Sequence, residues 1–232
     1  MPDLHWTIPV ARWSSWPAAA ATAPDIGFIE PIVRRRLSTL SRAALKVAHD
    51  CVGDDAAAVR TVFASRHGEL RRTTDILRTI SAGEPVSPTA FSLSVLNAMT
   101  GVFGIARGDR SPASAISAGA ETLGYALLEA HAQYASDPAT PVLVVYADEP
   151  ADPAYGTIED EVQGGALAIL FDATAAQGQL TCTIAHAPTS GDAPALFATQ
   201  SQAVQHCLDT HAAAVWQGAD TTWKWIWHDG AA

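Results

Sequence analysis

The chain has 232 residues, 48% of them hydrophobic, and a net charge of −10 at pH 7. This length and composition suffice for one domain with a sizeable buried core. The acidic balance excludes a general nucleic-acid-binding role, because neutralising phosphates requires a basic surface. The cysteines, Cys51, Cys182 and Cys207, are too few and too scattered for a disulfide framework, and they favour a reducing compartment.

The charges are unevenly distributed along the chain. The first 110 residues contain thirteen basic and ten acidic residues, whereas the remainder contains one basic and fourteen acidic residues. The arginines at positions 34–36, 71 and 72 form a candidate cationic patch for an acidic partner such as an acyl carrier protein. Solvated arginines on helix surfaces are the alternative interpretation.

The N-terminal segment and the hydropathy of the chain predict a cytoplasmic protein. The first six residues lack a charged region followed by an apolar stretch, and no run of about eighteen apolar residues occurs. We therefore expect no membrane insertion.

The first third of the chain predicts helices around one buried strand. Residues 1–32 contain three tryptophans and show neither helical nor alternating periodicity, so they are predicted to be an irregular lead. Apolar positions at helical spacing predict a helix over residues 33–51. The β-branched run 59–65 predicts a buried strand, and a helix over residues 69–82 follows.

The middle of the chain contains a strand that leads directly into a helix. Ser87-Pro88 breaks the chain before a predicted helix over residues 91–105. Residues 113–118 are short, apolar and small, as expected of a buried strand at a tight interface, and a helix over residues 121–133 follows. This strand-then-helix order is the one found at nucleophile elbows.

The last part of the chain predicts three strands and a helix. The apolar runs 141–146 and 164–171 are typical of strands buried on both faces, and residues 180–185 alternate as a further strand. Residues 195–215 favour a helix. The aromatic tail that follows contains Trp216, Trp223, Trp225 and Trp227. Strands that alternate with helices predict the α/β class, with a mixed, mostly parallel sheet covered by helices.

One segment carries a recognisable order of motifs. Asn97-x3-Gly101 is followed by a Ser-Pro turn that ends at Pro112, a run of small residues, and Ala120 eight residues after the proline. This order resembles the nucleophile region of β-ketoacyl synthases, in which a cysteine at the start of a buried helix occupies that last position. A condensing enzyme needs the thiolate to carry the growing acyl chain. The resemblance therefore implies no catalytic residue at Ala120.

The resemblance covers roughly residues 35–185 and implies a truncated thiolase-like fold, the N-terminal half of a ketosynthase. Residues 161–171 are similar to the family's Asp-Gly…Gly-Glu-Gly-Ala segment and the apolar strand after it. The motifs of the family's second half do not occur in this sequence. We expect one β-ketoacyl synthase-like domain over residues 1–232, with the thiolase-like half at 33–178 and a vestigial second half with the Trp-rich tail at 179–232.

This pattern, a truncated ketosynthase-like chain without the nucleophile, resembles the short chain length factors of type II synthases, such as those for aryl polyene and xanthomonadin-type pigments. Such a subunit is catalytically inactive, forms a heterodimer with an active ketosynthase, and meets the acyl carrier protein only indirectly. The resemblance implies a strand that pairs across the subunits, formed by Ser114, Ala115, Ile116, Ser117 and Ala118. By the same resemblance, the candidates for the acyl tunnel or interface are Phe91, Val95, Asn97, Met99 and Phe103. Alternatively, Phe91 and Phe103 are simply aromatic residues of the hydrophobic core.

Two other functions stay open on the sequence alone. A stand-alone acyltransferase or thioesterase-like enzyme would need an unrecognised nucleophile among Ser117, Cys182 and Cys207. A purely structural scaffold without an acyl tunnel is the third interpretation. A Gly-x-Ser-x-Gly motif is absent, so a hydrolase elbow is unsupported.

No metal or cofactor is predicted. His206, Cys207 and His211 lack a second pair of ligands, and the acidic loop 148–161 lacks a calcium-loop pattern and is predicted to be solvated. No glycine motif that cradles phosphates occurs. Glu121, which follows the nucleophile-equivalent position in an otherwise apolar setting, has no explanation in the sequence.

Overall fold

The computed structural model describes residues 3–54, 57–159, 161–186 and 195–230. Within these residues, nine strands form one sheet, and helices cover both of its faces. The strands are β1 (Leu4–Trp16), β2 (Arg60–Ala64), β3 (Ala113–Ile116), β4 (Val142–Asp148), β5 (Gly165–Phe171), β6 (Gly178–Ala185), β7 (Ala195–Phe197), β8 (Ala214–Gln217) and β9 (Thr222–Asp229). The helices are α1 (Pro31–Arg34), α2 (Thr39–Val52), α3 (Leu70–Ser81), α4 (Pro88–Ser92), α5 (Ala98–Arg107), α6 (Thr122–Ser136) and α7 (Gln200–Thr210).

The elements with the clearest sequence patterns are confirmed. Every residue of β2 and β4 is buried, as expected of the apolar runs at 59–65 and 141–146. The helices predicted over residues 69–82 and 121–133 correspond to α3 and α6, and the strands predicted over 113–118, 164–171 and 180–185 correspond to β3, β5 and β6.

The sheet is mixed, but the prediction that it is mostly parallel is wrong. Its strand order is β3-β2-β4-β5-β1-β6-β9-β8-β7. β2 runs parallel to β3 and β4, and β7 runs parallel to β8, whereas the other five neighbouring pairs are antiparallel. β3, β2 and β4 run parallel, so their carboxyl ends lie together at one end of the sheet. Ligand sites of α/β folds usually lie there.

The N-terminal segment, predicted to be irregular, instead places β1 in the middle of the sheet between β5 and β6. Trp6, Ile8 and Val10 are buried at alternate positions, which is the period of a strand. A bulge between Val10 and Arg12 shifts the register and hides this period in the sequence. Pro9 is tolerated because the pairing with β5 begins only at Val10, so the strand needs no N–H from the proline on that side.

The single helix predicted over residues 91–105 is interrupted. α4 ends at Ser92, and α5 begins at Ala98. The Ser94 hydroxyl donates to the Phe91 carbonyl at 2.8 Å, so a side chain competes for a backbone acceptor at the interruption.

The C-terminal helix is shorter than predicted, and the aromatic tail lies in two strands. Thr199 caps the start of α7, where its hydroxyl accepts from the Gln202 N–H at 3.3 Å, and His211 ends the helix in the left-handed conformation at φ 59°. The residues on either side of α7 form β7 and β8, and β8 contains Trp216. The other three tryptophans of the tail lie in β9, which pairs with β6.

Two buried clusters fill the two faces of the sheet. One joins α6 and α7 to the sheet and contains Trp216, Trp223 and Trp225. The other joins α2 and α5 to the opposite face, through residues such as Leu45 and Phe103. Among the described residues, no helix has both the length and the apolar character needed to cross a membrane.

Candidate functional site

The nucleophile-equivalent position lies in the turn between β3 and α6. Ala120 is the middle residue of a short 3-10 turn over Gly119–Glu121. Gly119 adopts φ 61°, a left-handed conformation that glycine takes without strain. The Thr122 hydroxyl accepts from the Ala118 N–H at 2.9 Å and donates to the Gly119 carbonyl at 2.7 Å. The turn is therefore held in one conformation by the first residue of the helix.

The N-terminus of α6, which would activate a thiol in a condensing enzyme, is occupied by polar side chains of this chain. The N–H groups of a first helical turn lack intrahelical acceptors and attract negative charge. The Gln200 amide oxygen accepts from the buried Gly124 N–H at 2.7 Å. Glu121 stands at the N-cap position, so its carboxylate lies beside the positive end of the helix dipole.

Glu121 has a structural partner that its sequence position does not reveal. The Thr221 hydroxyl donates to its carboxylate, and the Trp223 indole N–H lies 3.3 Å from the same oxygen. The Trp223 ring packs directly on Gly124, where a Cβ atom would approach it to 2.3 Å. The hairpin of β8 and β9 is thus fastened over the start of α6, and this contact explains an acidic residue in an apolar setting.

Little free space remains around Ala120. The cavity beside it has a volume of about 10 Å³, room for one water at most. Its walls include Leu123, Tyr146, Val162 and Trp216. An acyl chain does not fit this space without displacement of the hairpin.

The other candidate nucleophiles are not activated. Cys51, Cys182 and Cys207 are buried. Burial raises the pKa of Cys51 to about 12 and that of Cys207 to about 11, and it also raises the pKa of Cys182, so all three thiols stay protonated at neutral pH. The exposed Ser117 hydroxyl donates to the Arg66 carbonyl at 2.9 Å, a contact that supplies no base.

A buried polar cluster, missed by the sequence analysis, lies at the carboxyl ends of β2 and β4. Asp148, predicted to be solvated, is buried, and its carboxylate accepts from the Ser65 hydroxyl at 2.7 Å and from the His67 N–H at 3.0 Å. Burial raises the pKa of Asp148, while these hydrogen bonds oppose the rise. The Glu161 carboxylate lies 2.8 Å from the His67 ring. The cluster fixes the loop after β2. Its signal in the sequence is a polar residue near the end of each of two apolar runs, Ser65 in the run 59–65 and Asp148 shortly after the run 141–146.

The residues considered for a metal site do not converge. His211 faces Asp229 at 2.9 Å, whereas Cys207 is buried. In the described part of the chain, no three His, Cys, Asp or Glu side chains are grouped in a way that could hold a metal ion.

Comparison with known protein families decides the assignment. The sequence profile of the β-ketoacyl synthase N-terminal domain matches residues 11–226. The chain belongs to this family. A search among curated proteins finds no match.

Solved structures show the same ketosynthase fold. A chain of the ketosynthase (ApeO) in complex with its chain length factor (ApeC) from Xenorhabdus doucetiae has a TM-score of 0.74 and 24% identity, with 95% of this chain and 99% of that chain covered. A chain of the ishigamide ketosynthase/chain length factor has a TM-score of 0.57 and 19% identity, with 74% and 63% covered. A β-ketoacyl synthase from Burkholderia phymatum STM815 has a TM-score of 0.54 and 14% identity, with 71% and 50% covered. The predicted truncated thiolase-like fold is confirmed.

In this ketosynthase-family chain, the residues predicted for a tunnel or interface divide into two groups. Phe91 and Val95 are 62% and 45% exposed, and Asn97 is exposed as well. Met99 and Phe103 are each 2% exposed and belong to the core cluster under α2. The last two are therefore core residues, because α5 turns their side chains towards the sheet while α4 and the loop after it face outward.

The strand predicted to pair across subunits lies at an edge of the sheet. β3 pairs with β2 on one side, and no strand of the described residues lies on its other side. Ser114, Ala115 and Ile116 belong to β3, whereas Ser117 and Ala118 lie in the turn after it. α5 and α6 flank this edge, and each exposes an apolar side chain, Ile105 at 84% and Tyr125 at 37%.

Proposed function

We propose that this chain is a catalytically inactive ketosynthase-like subunit, of the chain length factor type, that forms a heterodimer with an active ketosynthase. In that complex it shapes the acyl tunnel during polyene or polyketide biosynthesis, with acyl groups delivered on an acyl carrier protein. The observation that carries the proposal is the filled pocket at Ala120, which contains neither a nucleophile nor room for an acyl chain. A chain with a ketosynthase fold and without that site contributes to condensation only through a partner.

The open edge at β3 supports a protein partner. An unpaired edge strand offers a row of backbone donors and acceptors to a second chain. Here α5 and α6 flank the edge and expose Ile105 and Tyr125. Exposed apolar side chains around a free edge are typical of a surface that is covered in an assembly.

The similarity to a known complex points to the kind of partner. The match covers 95% of this chain and 99% of a chain in the structure of a ketosynthase in complex with its chain length factor. The present chain has alanine at position 120, where the family's nucleophile would stand, and this together with the match supports the role of the partner subunit.

Phe91 and Val95 are the side chains that we place at the tunnel end. Their exposure in the isolated chain leaves them free to enter an apolar cavity of the ketosynthase. Each methylene unit that an acyl chain buries contributes on the order of 0.8 kcal/mol, so a bulky side chain that blocks the cavity limits the product length.

Co-expression with the ketosynthase encoded nearest to this gene tests the proposal. We expect a one-to-one heterodimer by native mass spectrometry, whereas the chain expressed alone should aggregate because its apolar edge stays exposed. A soluble monomer that does not bind the ketosynthase would contradict the partner-subunit role. Turnover of acyl thioesters by the chain alone would contradict its proposed inactivity.

Val95→Trp is expected to shorten the product by at least one extension unit. The larger indole ring would occupy the space that the last unit of the acyl chain needs. The products of the reconstituted complex are compared by mass spectrometry, and Leu4→Trp is the control, since Leu4 is also exposed but lies on β1, four strands away from β3. An unchanged product length from an intact heterodimer would favour the structural-scaffold interpretation.

A further inference from the structure

The end of the β8–β9 hairpin has an exposed tip and two buried tryptophans. Trp216 and Trp223 pair across the two strands, so their side chains point to the same face of the hairpin. They are 2% and 0% exposed, whereas Gln217 and Asp220 at the tip are exposed. The hairpin therefore inserts two indole rings into the protein at the end that meets solvent.

The tip extends beyond the strands on either side of the hairpin. β6 ends opposite Thr222, and β7 ends opposite Trp216. Within the described residues, no neighbouring strand pairs with residues 217–221. Because few backbone hydrogen bonds hold this end to the rest of the sheet, we expect it to open more readily than the central strands.

Glu121 fastens the end of the hairpin to α6. Its carboxylate accepts from the Thr221 hydroxyl and from the Trp223 indole N–H, the latter at 3.3 Å. The Tyr125 hydroxyl bonds to the same carboxylate, and burial together with this carboxylate raises the pKa of Tyr125. Two donors of the hairpin and one of α6 thus share a single acceptor. Glu121 is therefore the polar latch of the hairpin end.

A buried amide group beneath the hairpin has no acceptor. Gln200 is 3% exposed and lines the cavity at Ala120. Its amide oxygen accepts from the Gly124 N–H at 2.7 Å, whereas no described residue accepts from its Nε2. An unsatisfied buried donor costs free energy and is rare in folded proteins. The cavity, with a volume of about 10 Å³, has room for one oxygen atom as the missing acceptor.

The walls around this position are largely apolar. They include the buried side chains of Leu123, Tyr146, Val162 and Trp216. A ligand with one oxygen acceptor and an apolar chain fits such a setting, because the oxygen would satisfy the amide and the chain would lose little on leaving water. A ligand with several polar groups would bury them without partners. The chemistry of the site is therefore that of an acyl group.

We propose that the end of the β8–β9 hairpin, residues 216–223, is a plug latched by Glu121 that closes an acyl-binding pocket at the start of α6. In the closed state Trp216 occupies the place of the acyl chain. When the plug lifts, the acyl oxygen accepts from Gln200 Nε2 and the chain packs along Leu123 and Val162. The pocket lies within this chain, so binding does not require the proposed heterodimer.

The test uses the full chain at a concentration too low for aggregation and cis-parinaric acid, a fatty acid whose polyene accepts excitation energy from nearby tryptophans. Glu121→Ala removes the acceptor of three donors, and Thr221→Val removes one donor without a change of charge. The apparent affinity is reduced by the fraction of open molecules, so we expect Kd to fall about tenfold in the first variant and about threefold in the second.

Glu129→Ala is the matched control. It makes the same change of net charge on the same helix, but the Glu129 carboxylate accepts from the Gln133 amide at 2.8 Å and has no printed role at the hairpin. Its Kd should equal that of the wild type. Hydrogen exchange localises the opening, since both latch variants should speed exchange in residues 216–223 and leave β2 and β4 protected. Bound cis-parinaric acid should slow that exchange.

Tighter binding in both latch variants, together with faster exchange confined to the hairpin end, supports the plug. Equal Kd values in all four proteins, or unchanged exchange at the hairpin, would overturn it. Tighter binding in Glu121→Ala but not in Thr221→Val would reveal a charge effect on the anionic probe and would overturn it as well. Circular dichroism checks the fold, and Thr221→Val decides alone if Glu121→Ala does not fold.

Discussion

Ala115→Pro is expected to weaken the heterodimer strongly while the chain itself stays folded. The carbonyls of Pro112 and Ile116 accept from the N–H groups of Thr61 and Ser65 in β2. Since successive residues of a strand turn their peptide groups to opposite sides, Ala115 turns its N–H towards the open edge. Proline at this position removes a hydrogen-bond donor that faces the partner and none that faces β2. Edge strands tolerate such a proline.

The expected loss of association is roughly 2–4 kcal/mol, from one missing hydrogen bond and the clash of the ring with an incoming strand. That loss raises Kd about 30- to 1,000-fold. Size-exclusion chromatography with mass determination measures it, and circular dichroism of the variant, at a concentration too low for aggregation, monitors its fold. Ala115→Val is the matched control, because it also enlarges the side chain but keeps the N–H. Wild-type assembly of the proline variant would show that the partner does not pair with β3.

Gly124→Ala is expected to destabilise the chain by roughly 3 kcal/mol, the upper part of the range for overpacked cores. The added Cβ would lie 2.3 to 2.6 Å from three atoms of the Trp223 ring. That ring is buried and has an edge-to-face contact with Trp6, with centroids 6.2 Å apart, and another with Tyr125 at 5.3 Å. It cannot move away without disturbing β9 and the contacts of Glu121.

Gly101→Ala provides the comparison for that substitution. Gly101 is also a helical glycine, but a Cβ there meets no atom within 4 Å, so this variant should gain about 0.5–1 kcal/mol in stability. Urea unfolding of the chain, at a protein concentration too low for aggregation and followed by tryptophan fluorescence, gives both values. Equal effects of the two substitutions would refute the close packing of the hairpin on α6.

Local sequence patterns correctly predicted the helices and strands whose conformation can be recognised from their own residues. The apolar runs that became β2 and β4 are recognisable because a strand buried on both faces needs no polar positions. The pattern of β1 was obscured by Pro9 and by the bulge after Val10, both of which are acceptable only because of how β5 and β6 pair with this strand. Strand direction was mispredicted for the same reason, since the order of strands across the sheet is a long-range property.

The sequence by itself determined the α/β class, through the periodicity of its segments, and the alanine at position 120, and its order of motifs resembles that of the β-ketoacyl synthases, the family that the sequence profile shows. Only the tertiary structure decided that Glu121 meets Thr221 and Trp223, about a hundred residues away, and that the hairpin fills the space at Ala120. It also decided that Phe103 faces the core while Phe91 faces outward. Contacts between distant residues are selected by the packing of whole elements, and no local propensity records which surfaces that packing will cover.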